Sequence, residues 1–142
     1  MKISEIMSSD VRLVAPNQTI QQAAAIMAEI DAGALPVATD ERLVGMITDR
    51  DLAVRAIAAG LGPDTKVSEV MSDEVKYCFD DDEVASVAGN MAEIKVRRLP
   101  VVNREKRLVG IVALADIATV AGSDQAAVAL SGISEPGGKH SQ

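Results

Sequence analysis

The stretch Ile3-Ser4-Glu5-Ile6-Met7-Ser8 occurs a second time, with changes, as Val67-Ser68-Glu69-Val70-Met71-Ser72. The similarity continues along the chain from these segments to Ala53 and Ala118, with one additional residue in the second copy. A unit of this length that is present twice does not make a solenoid array. Two like units, each with an apolar face that needs a partner, are expected to bury those faces against one another about a pseudo-two-fold axis. Clefts between the halves are then the expected place for a ligand.

Both copies predict the same order of elements: a strand, a helix, two strands and a second helix. Apolar residues at helical spacing mark the first helix, and glycines follow both helices of the first copy. The elements predicted there are a strand at 12–15, a helix from residue 20 that stops at Gly33, strands at 34–38 and 43–48, and a helix at 49–59. We predict repeat 1 at residues 1–60, a linker at 61–66, repeat 2 at 67–122 and a tail at 123–142, with a short helix at 125–130.

Composition places the chain among globular proteins and limits its partners. Of the 142 residues, 48% are hydrophobic and 25% are charged. The net charge of -7 argues against a partner that is recognised mainly through its phosphates, so nucleic acid is not expected. No apolar run approaches the length of a membrane span, and the start of the chain lacks an apolar leader pattern. The sequence therefore predicts a cytoplasmic protein without membrane contact.

Residue types that carry much catalytic chemistry are scarce. Cys78 is the single cysteine, which excludes an intramolecular disulfide and a cluster of thiolate ligands. Its counterpart in the first copy is Val14, which predicts a buried apolar position for the thiol. His140 is the single histidine and lies in the predicted tail. Because no constellation for nucleophilic or acid–base catalysis emerges, we predict that the chain is not an enzyme.

Three short motifs relate both copies to a known family. Leu-Pro-Val occurs at 35–37 and 99–101, Leu-Val-Gly occurs at 43–45 and 108–110, and an aspartate follows at 51 and 116. With the Thr-x-x-Asp after the first Leu-Val-Gly, the double unit resembles a tandem pair of CBS (cystathionine-beta-synthase) domains over roughly residues 1–122. The resemblance implies an α/β fold of two β-α-β-β-α repeats related by a pseudo-two-fold axis. It also implies two clefts, frequent homodimers, and binding of adenine nucleotides or related adenosyl compounds.

The family's ligand motif is Gly-h-x-Thr/Ser-x-x-Asp, where h is apolar, and residues 45–51 match it fully. Thr48 is expected to end a strand and Asp51 to lie in the first turn of the next helix, so that both side chains face one cleft. A carboxylate there can accept both hydroxyls of a ribose, and the threonine hydroxyl suits a phosphate. Arg50 or Arg55 adds positive charge if it points inward. The alternative is that Thr48 and Asp51 only cap the helix.

The second copy differs at the same motif. Asp116 is retained, but Ala113 stands at the threonine position. Arg97 and Arg98 precede the second Leu-Pro, where the family resemblance implies a basic residue that reaches phosphate. We therefore expect two clefts of unequal affinity, one built on the threonine and aspartate of the first copy and the other on Asp116, Arg97 and Arg98. For the two arginines, an exposed basic face is the alternative.

The family's geometry implies that the start of each repeat lies near the aspartate of the other. Since the chain has no Trp, one Tyr and one Phe, aliphatic side chains must clamp an adenine. The residues expected to border the first cleft are Met71, Val75 and Lys76, and those expected to border the second are Met7, Val11 and Arg12. For the methionines, core filling is the alternative. Gly45 and Gly110, inside strands, indicate either a bulge or a ligand close to the backbone.

An acidic run, Asp80-Asp81-Asp82-Glu83, precedes the first helix of repeat 2. Carboxylates at this position are expected to cap helix N–H groups rather than to bind a metal, and we predict no required cofactor. Together with the family resemblance, the sequence predicts a regulatory module that senses AMP, ADP, ATP or a NAD-like nucleotide between its CBS repeats and signals to an unknown regulated protein. The alternative is an unliganded dimeric interaction module whose clefts are filled by its own side chains.

Overall fold

The structure is a computed structural model of the chain and describes residues 1–120. It divides into two units. The first-repeat unit is Arg12–Val75, and the second-repeat unit combines Met1–Val11 with the chain from Lys76 onward. Each unit therefore contains the opening segment of the other repeat, where residues 1–11 open repeat 1 and residues 67–75 open repeat 2. The helix predicted at 125–130 and the tail lie outside the described residues.

The first-repeat unit begins with a capped helix. α1 (Ile20–Ile30) follows Thr19, which forms a capping box with Gln22: each side chain accepts a hydrogen bond from the other residue's backbone N–H. The C-cap residue, Asp31, adopts a left-handed conformation with φ 54°. The helix thus ends before Gly33, because a left-handed aspartate takes the place that glycine often holds.

A two-stranded antiparallel hairpin follows, formed by β1 (Ala34–Thr39) and β2 (Arg42–Thr48). Asp40 and Glu41 connect the strands in left-handed conformations, with φ 50° and 68°. Two consecutive left-handed residues give the mirror-image turn whose twist matches that of the flanking strands. The two strands predicted at 34–38 and 43–48 are thus confirmed as a hairpin.

The first predicted strand of this unit is reduced to a single bridge. Val14 pairs in parallel with Val37, through hydrogen bonds from Val14 N to Pro36 O (3.1 Å) and from Ala38 N to Val14 O (3.0 Å). Pro16 has no backbone N–H with which to extend this ladder.

The helix predicted at residues 49–59 is not a regular α-helix. α2 (Asp49–Asp51) is a short α-helical turn, and Leu52–Ile57 continues it as a π-helical segment. The wider turn is visible in the hydrogen bond from Ala58 N to Ala53 O, at 2.9 Å. Gly60, with φ 80°, follows the helical residues as predicted.

The second-repeat unit has a three-stranded sheet, because a regular strand stands where the first-repeat unit has only the bridge at Val14. Its elements are β3 (Cys78–Phe79), α3 (Val84–Ile94), β4 (Arg98–Val102), β5 (Leu108–Ala113) and α4 (Leu114–Val120). β3 is parallel to β4, and β4 is antiparallel to β5. The predicted α/β class and the predicted order of elements are confirmed.

Each unit has its own apolar core, and an opening segment contributes to it. Ile3 lies in a 3-10 turn and is fully buried with Met91 in the core of the second-repeat unit. Val67 occupies the matching 3-10 turn and is fully buried with Leu35 in the core of the first-repeat unit. The two opening segments are thus structural parts of the opposite repeat.

Cys78 belongs to the core of the second-repeat unit, where it is 3% exposed, as its alignment with a valine predicts. Burial, with smaller effects of the Asp82 and Asp80 carboxylates, raises the pKa of the Cys78 thiol to about 12. Since the ordinary thiol value is about 8.5, folding favours the protonated form. This contribution to stability is complete below the unfolded pKa and is lost as the pH rises towards the folded pKa.

We therefore expect a thiol reagent such as Ellman's reagent to leave the folded protein unmodified at about pH 8 and to react fully in denaturant. The free energy of unfolding, measured at increasing pH, should decline above about pH 9. This decline should be smaller in Cys78→Val, which carries the side chain found at the equivalent position of the other repeat, Val14. Rapid modification of the folded protein would contradict this account of the thiol.

Candidate functional site

The Asp51 site lies where β2 passes into α2 in the first-repeat unit. Asp51 N donates to Thr48 Oγ1 and Thr48 N donates to Asp51 Oδ2, both at 3.0 Å. This is a capping box, so the capping role expected as an alternative is present. Asp51 remains 18% exposed at its side chain, and its other oxygen, Oδ1, lies 3.9 Å from Arg55 Nε. Because a carboxylate accepts several hydrogen bonds, capping leaves capacity for a ligand hydroxyl.

Arg55 supplies positive charge beside the Asp51 carboxylate, whereas the role of Arg50 in ligand binding stays a prediction. Arg55 Nη1 also donates to the backbone carbonyls of Met71 (3.1 Å) and Val70 (3.3 Å). Arg50 is exposed on α2. The spacing of four residues between Asp51 and Arg55 was the sequence signal, since residues four apart are neighbours on a helix surface.

Met71 lies beside β2, in the same unit as Asp51, which is the placement that the family resemblance implies. Ser72 and Met46 exchange backbone hydrogen bonds of 2.8 and 2.9 Å. A Cβ on Gly45 would lie 2.8 Å from both Met71 Sδ and Ser72 O. Gly45 also adjoins the shift of hairpin register after Val37. Gly45 therefore lies at a bulge, and its lack of a side chain leaves room for the backbone of Ser72. Met71 is half-buried and packs against the core of this unit.

The Asp116 site occupies the same position in the second-repeat unit. Asp116 Oδ2 accepts a hydrogen bond from Ala113 N at 2.8 Å, whereas the alanine has no hydroxyl to complete a capping box. Arg98 pairs with Ala113 across β4 and β5, and the Arg97 carbonyl accepts from Leu114 N at 2.8 Å. The structure brings the predicted basic pair to the start of α4, with both arginine side chains exposed.

Met7 repeats the placement of Met71 in the second-repeat unit. A Cβ on Gly110 would lie 2.5 Å from Met7 Sδ and 2.9 Å from Ser8 O. Ser8 and Ile111 exchange two backbone hydrogen bonds of 2.9 Å. Gly45 and Gly110 therefore leave room for an opening segment that crosses the strand closely, a contact that the sequence does not reveal.

Four predicted lining residues lie where the chain passes from one unit to the other. Val75 and Val11 each belong to the unit that contains the aspartate of their predicted cleft, and both are half-buried. Lys76 and Arg12 belong to the opposite units from those aspartates. The roles of these four residues in ligand binding stay predictions.

The Arg12 guanidinium has a partner within its own unit. It donates to both carboxylate oxygens of Glu29, on α1, at 3.1 and 3.3 Å. This pairing lowers the pKa of the Glu29 carboxyl below its ordinary value.

The acidic run before α3 is engaged in separate contacts. Asp82 accepts from Phe79 N at 2.9 Å, and Asp81 binds Arg104 through both oxygens, at 2.6 and 2.9 Å. The Asp81–Arg104 pairing lowers the pKa of Asp81 and raises that of Arg104. Glu83 is the N-cap residue of α3, but its side chain makes no cap hydrogen bond. Within residues 1–120, no group of three or more His, Cys, Asp or Glu side chains is placed to hold a metal ion.

The chain belongs to the CBS-domain family, whose model, described as CBS domain, matches residues 3–57 and 67–122. It is similar to the CBS domain-containing protein YhcV of Bacillus subtilis, with 43% identity over 125 residues that cover 88% of this chain and 89% of that protein. A crystal structure of Hypoxic Response Protein I with two coordinated zinc ions is also similar. Its TM-score is 0.77 at 39% identity, over 84% of this chain and 98% of that one.

Two similar solved structures contain adenosine compounds. The CBS domain pair of protein MJ0100, in complex with 5-methylthioadenosine and S-adenosyl-L-methionine, has a TM-score of 0.72 at 30% identity, over 84% of this chain and 94% of that one. CBSX2 in complex with AMP has a TM-score of 0.74 at 25% identity, over 84% and 95% of the two chains. Some CBS pairs therefore bind adenosine ligands.

Among the described helices of this chain, none is long and apolar enough to span a membrane, and the cytoplasmic location stays a prediction.

Proposed function

We propose that this CBS pair is a regulatory module that senses an adenosine-containing nucleotide, such as AMP, ADP, ATP or a NAD-like compound. The proposal rests on a half-buried aspartate in each unit, held in the first turn after β2 or β5, with arginine side chains in the same unit. The carboxylate can accept ribose hydroxyls, and guanidinium groups can donate to phosphate. The solved CBS structures with AMP and with S-adenosyl-L-methionine support this class of ligand.

The two sites are proposed to differ in affinity. In the first-repeat unit, Thr48 Oγ1 accepts from Asp51 N, and its O–H remains a donor for a phosphate oxygen. In the second-repeat unit, Ala113 has no hydroxyl, and Arg97 and Arg98 would hold the phosphate instead. A threonine hydroxyl and a pair of guanidinium groups differ in charge, so AMP should bind the two sites unequally.

The nucleotide would act as a regulatory ligand rather than a substrate, with no catalytic residue and no required cofactor or metal. It would shift the population of conformations only as far as its affinity differs between them, and an unknown protein would respond.

We also propose a homodimer. Val54 and Ile57 in the π-helical segment are 51% and 67% exposed, and apolar side chains of this kind favour a second copy as partner.

The rival function is an unliganded interaction module. The capping box favours it, because Thr48 Oγ1 and Asp51 Oδ2 are both engaged within the chain. A ligand that binds only the folded protein must raise the melting temperature, whereas an interaction module would not respond to nucleotides.

A thermal unfolding scan with AMP, ADP, ATP, NAD and S-adenosylmethionine separates the two functions. At about a hundred times its dissociation constant, a ligand adds about 2.7 kcal/mol, which predicts a rise of roughly 5 to 10 °C for a chain of this size. The matched control is the double variant Asp51→Asn, Asp116→Asn, in which a hundredfold loss of affinity should reduce the rise to roughly 1 °C. The absence of a shift with all five compounds would favour the interaction module.

A further inference from the structure

We propose that Arg55 is a positioning residue that couples a nucleotide at Asp51 to the segment 67–72, a role that rests on the function proposed above. The Arg55 guanidinium contacts both the Asp51 carboxylate and the segment 67–72. Nε lies 3.9 Å from Asp51 Oδ1, and Nη1 donates to the carbonyls of Val70 at 3.3 Å and Met71 at 3.1 Å. A single side chain thus connects the acidic group of the site to the backbone of the exchanged segment.

The position of this segment matters because it is anchored in the first-repeat unit and leads out of it. Val67 and Val70 are buried in the core, and Ser72 pairs with Met46 of β2. The chain leaves the unit after Val75. A change at the two carbonyls held by the arginine therefore acts on the backbone shortly before it enters the second-repeat unit.

A nucleotide changes the acceptors that are available to Arg55. Ribose hydroxyls that donate to the Asp51 carboxylate reduce its attraction for the guanidinium. A phosphate carries full negative charge and accepts from a guanidinium more strongly than a neutral carbonyl does. Arg55 then donates to the phosphate instead of to the carbonyls of Val70 and Met71. With these hydrogen bonds lost, the segment 67–72 is held less firmly in the first-repeat unit.

This coupling belongs to one of the two sites. In the alignment of the repeats, the position of Arg55 corresponds to Val120. A valine side chain has no donor for the carbonyls of the first opening segment or for a phosphate. The Asp116 site therefore binds its ligand without an equivalent of this arginine at the aligned position.

NMR-detected hydrogen exchange at Met71 and Ser72 tests the coupling, because their amides donate to Val67 O (2.9 Å) and Met46 O (2.8 Å). Saturating AMP should accelerate exchange at both amides in the wild type by roughly threefold to tenfold, the effect of one partly exposed charge-assisted hydrogen bond. This change is opposite to the general protection that a bound ligand confers. In Arg55→Ala, exchange without nucleotide should already be fast, and AMP should not accelerate it further.

Arg42→Ala is the matched control, since it removes the same charge from an exposed position at the other end of β2 and should behave as the wild type. Calorimetry on the same samples reports whether AMP binds. Binding of AMP without faster exchange, or equal exchange in the nucleotide-free wild type and Arg55→Ala, contradicts the coupling alone. Failure of AMP to bind the wild type contradicts the coupling by AMP, and failure of all five compounds of the thermal scan to bind contradicts the proposed function as well.

Discussion

Asp51→Asn is expected to weaken AMP binding at the first-repeat unit by about a hundredfold. The carboxylate would accept both ribose hydroxyls, and hydrogen bonds to a charged group contribute about 1.5 to 3 kcal/mol each. The amide keeps one acceptor oxygen, so a loss of about 2 to 3 kcal/mol is expected, and each 1.4 kcal/mol corresponds to about tenfold in affinity. Isothermal titration calorimetry measures the effect directly.

Asparagine is chosen because its oxygen can still accept the hydrogen bond that Thr48 N donates to Asp51 Oδ2. The capping box is retained, and the melting temperature without ligand should change little. Asp116→Asn is the matched control in the other unit, and it should weaken the second site and leave the first. An unchanged isotherm in Asp51→Asn would remove the ribose role of this residue.

Ile3→Ala is expected to destabilise the second-repeat unit by about 2 to 4 kcal/mol, the usual cost of truncating a fully buried isoleucine. Ile3 is fully buried in the core that includes Val87, Val101 and Val112. Denaturant unfolding gives the magnitude. Methyl NMR gives the location, because the largest shifts should fall on those three valines rather than on the core of the first-repeat unit.

Val67→Ala is the reciprocal variant, and its largest methyl shifts should fall on the core that contains Val14 and Val37. If each opening segment instead packed within its own repeat, the two patterns would be reversed. A reversed pattern would contradict the exchange of segments between the two repeats.

Much of the fold follows from local sequence signals. Thr19 and Gln22 have capping-box spacing, and the paired apolar strands flank a short polar turn, so the helix and the hairpin were predictable. The π-helical segment Leu52–Ile57 was not, since its apolar spacing suits an α-helix equally well. α1 and α3 end at Asp31 and Lys95, which adopt left-handed conformations. Only a glycine or an asparagine at these positions would have predicted these helix ends from the sequence.

The candidate site was predictable as a set of residues rather than as a set of contacts. The motif identified Thr48 and Asp51, and the repeat identified Asp116. An alignment compares residues and carries no distances, so it could not show that Arg55 lies beside the Asp51 carboxylate, although the spacing of four residues is compatible with that contact. It also could not show that the backbone of Ser72 lies against Gly45, because these two residues are far apart in the sequence.

A crystal structure of the protein with saturating AMP would show directly whether the Asp51 carboxylate binds a ribose. We expect ribose hydroxyls within hydrogen-bond distance of that carboxylate, with the phosphate near Thr48 Oγ1 and the Arg55 guanidinium. AMP bound elsewhere, or no nucleotide density beside Asp51 and Asp116, would contradict the proposed ribose role.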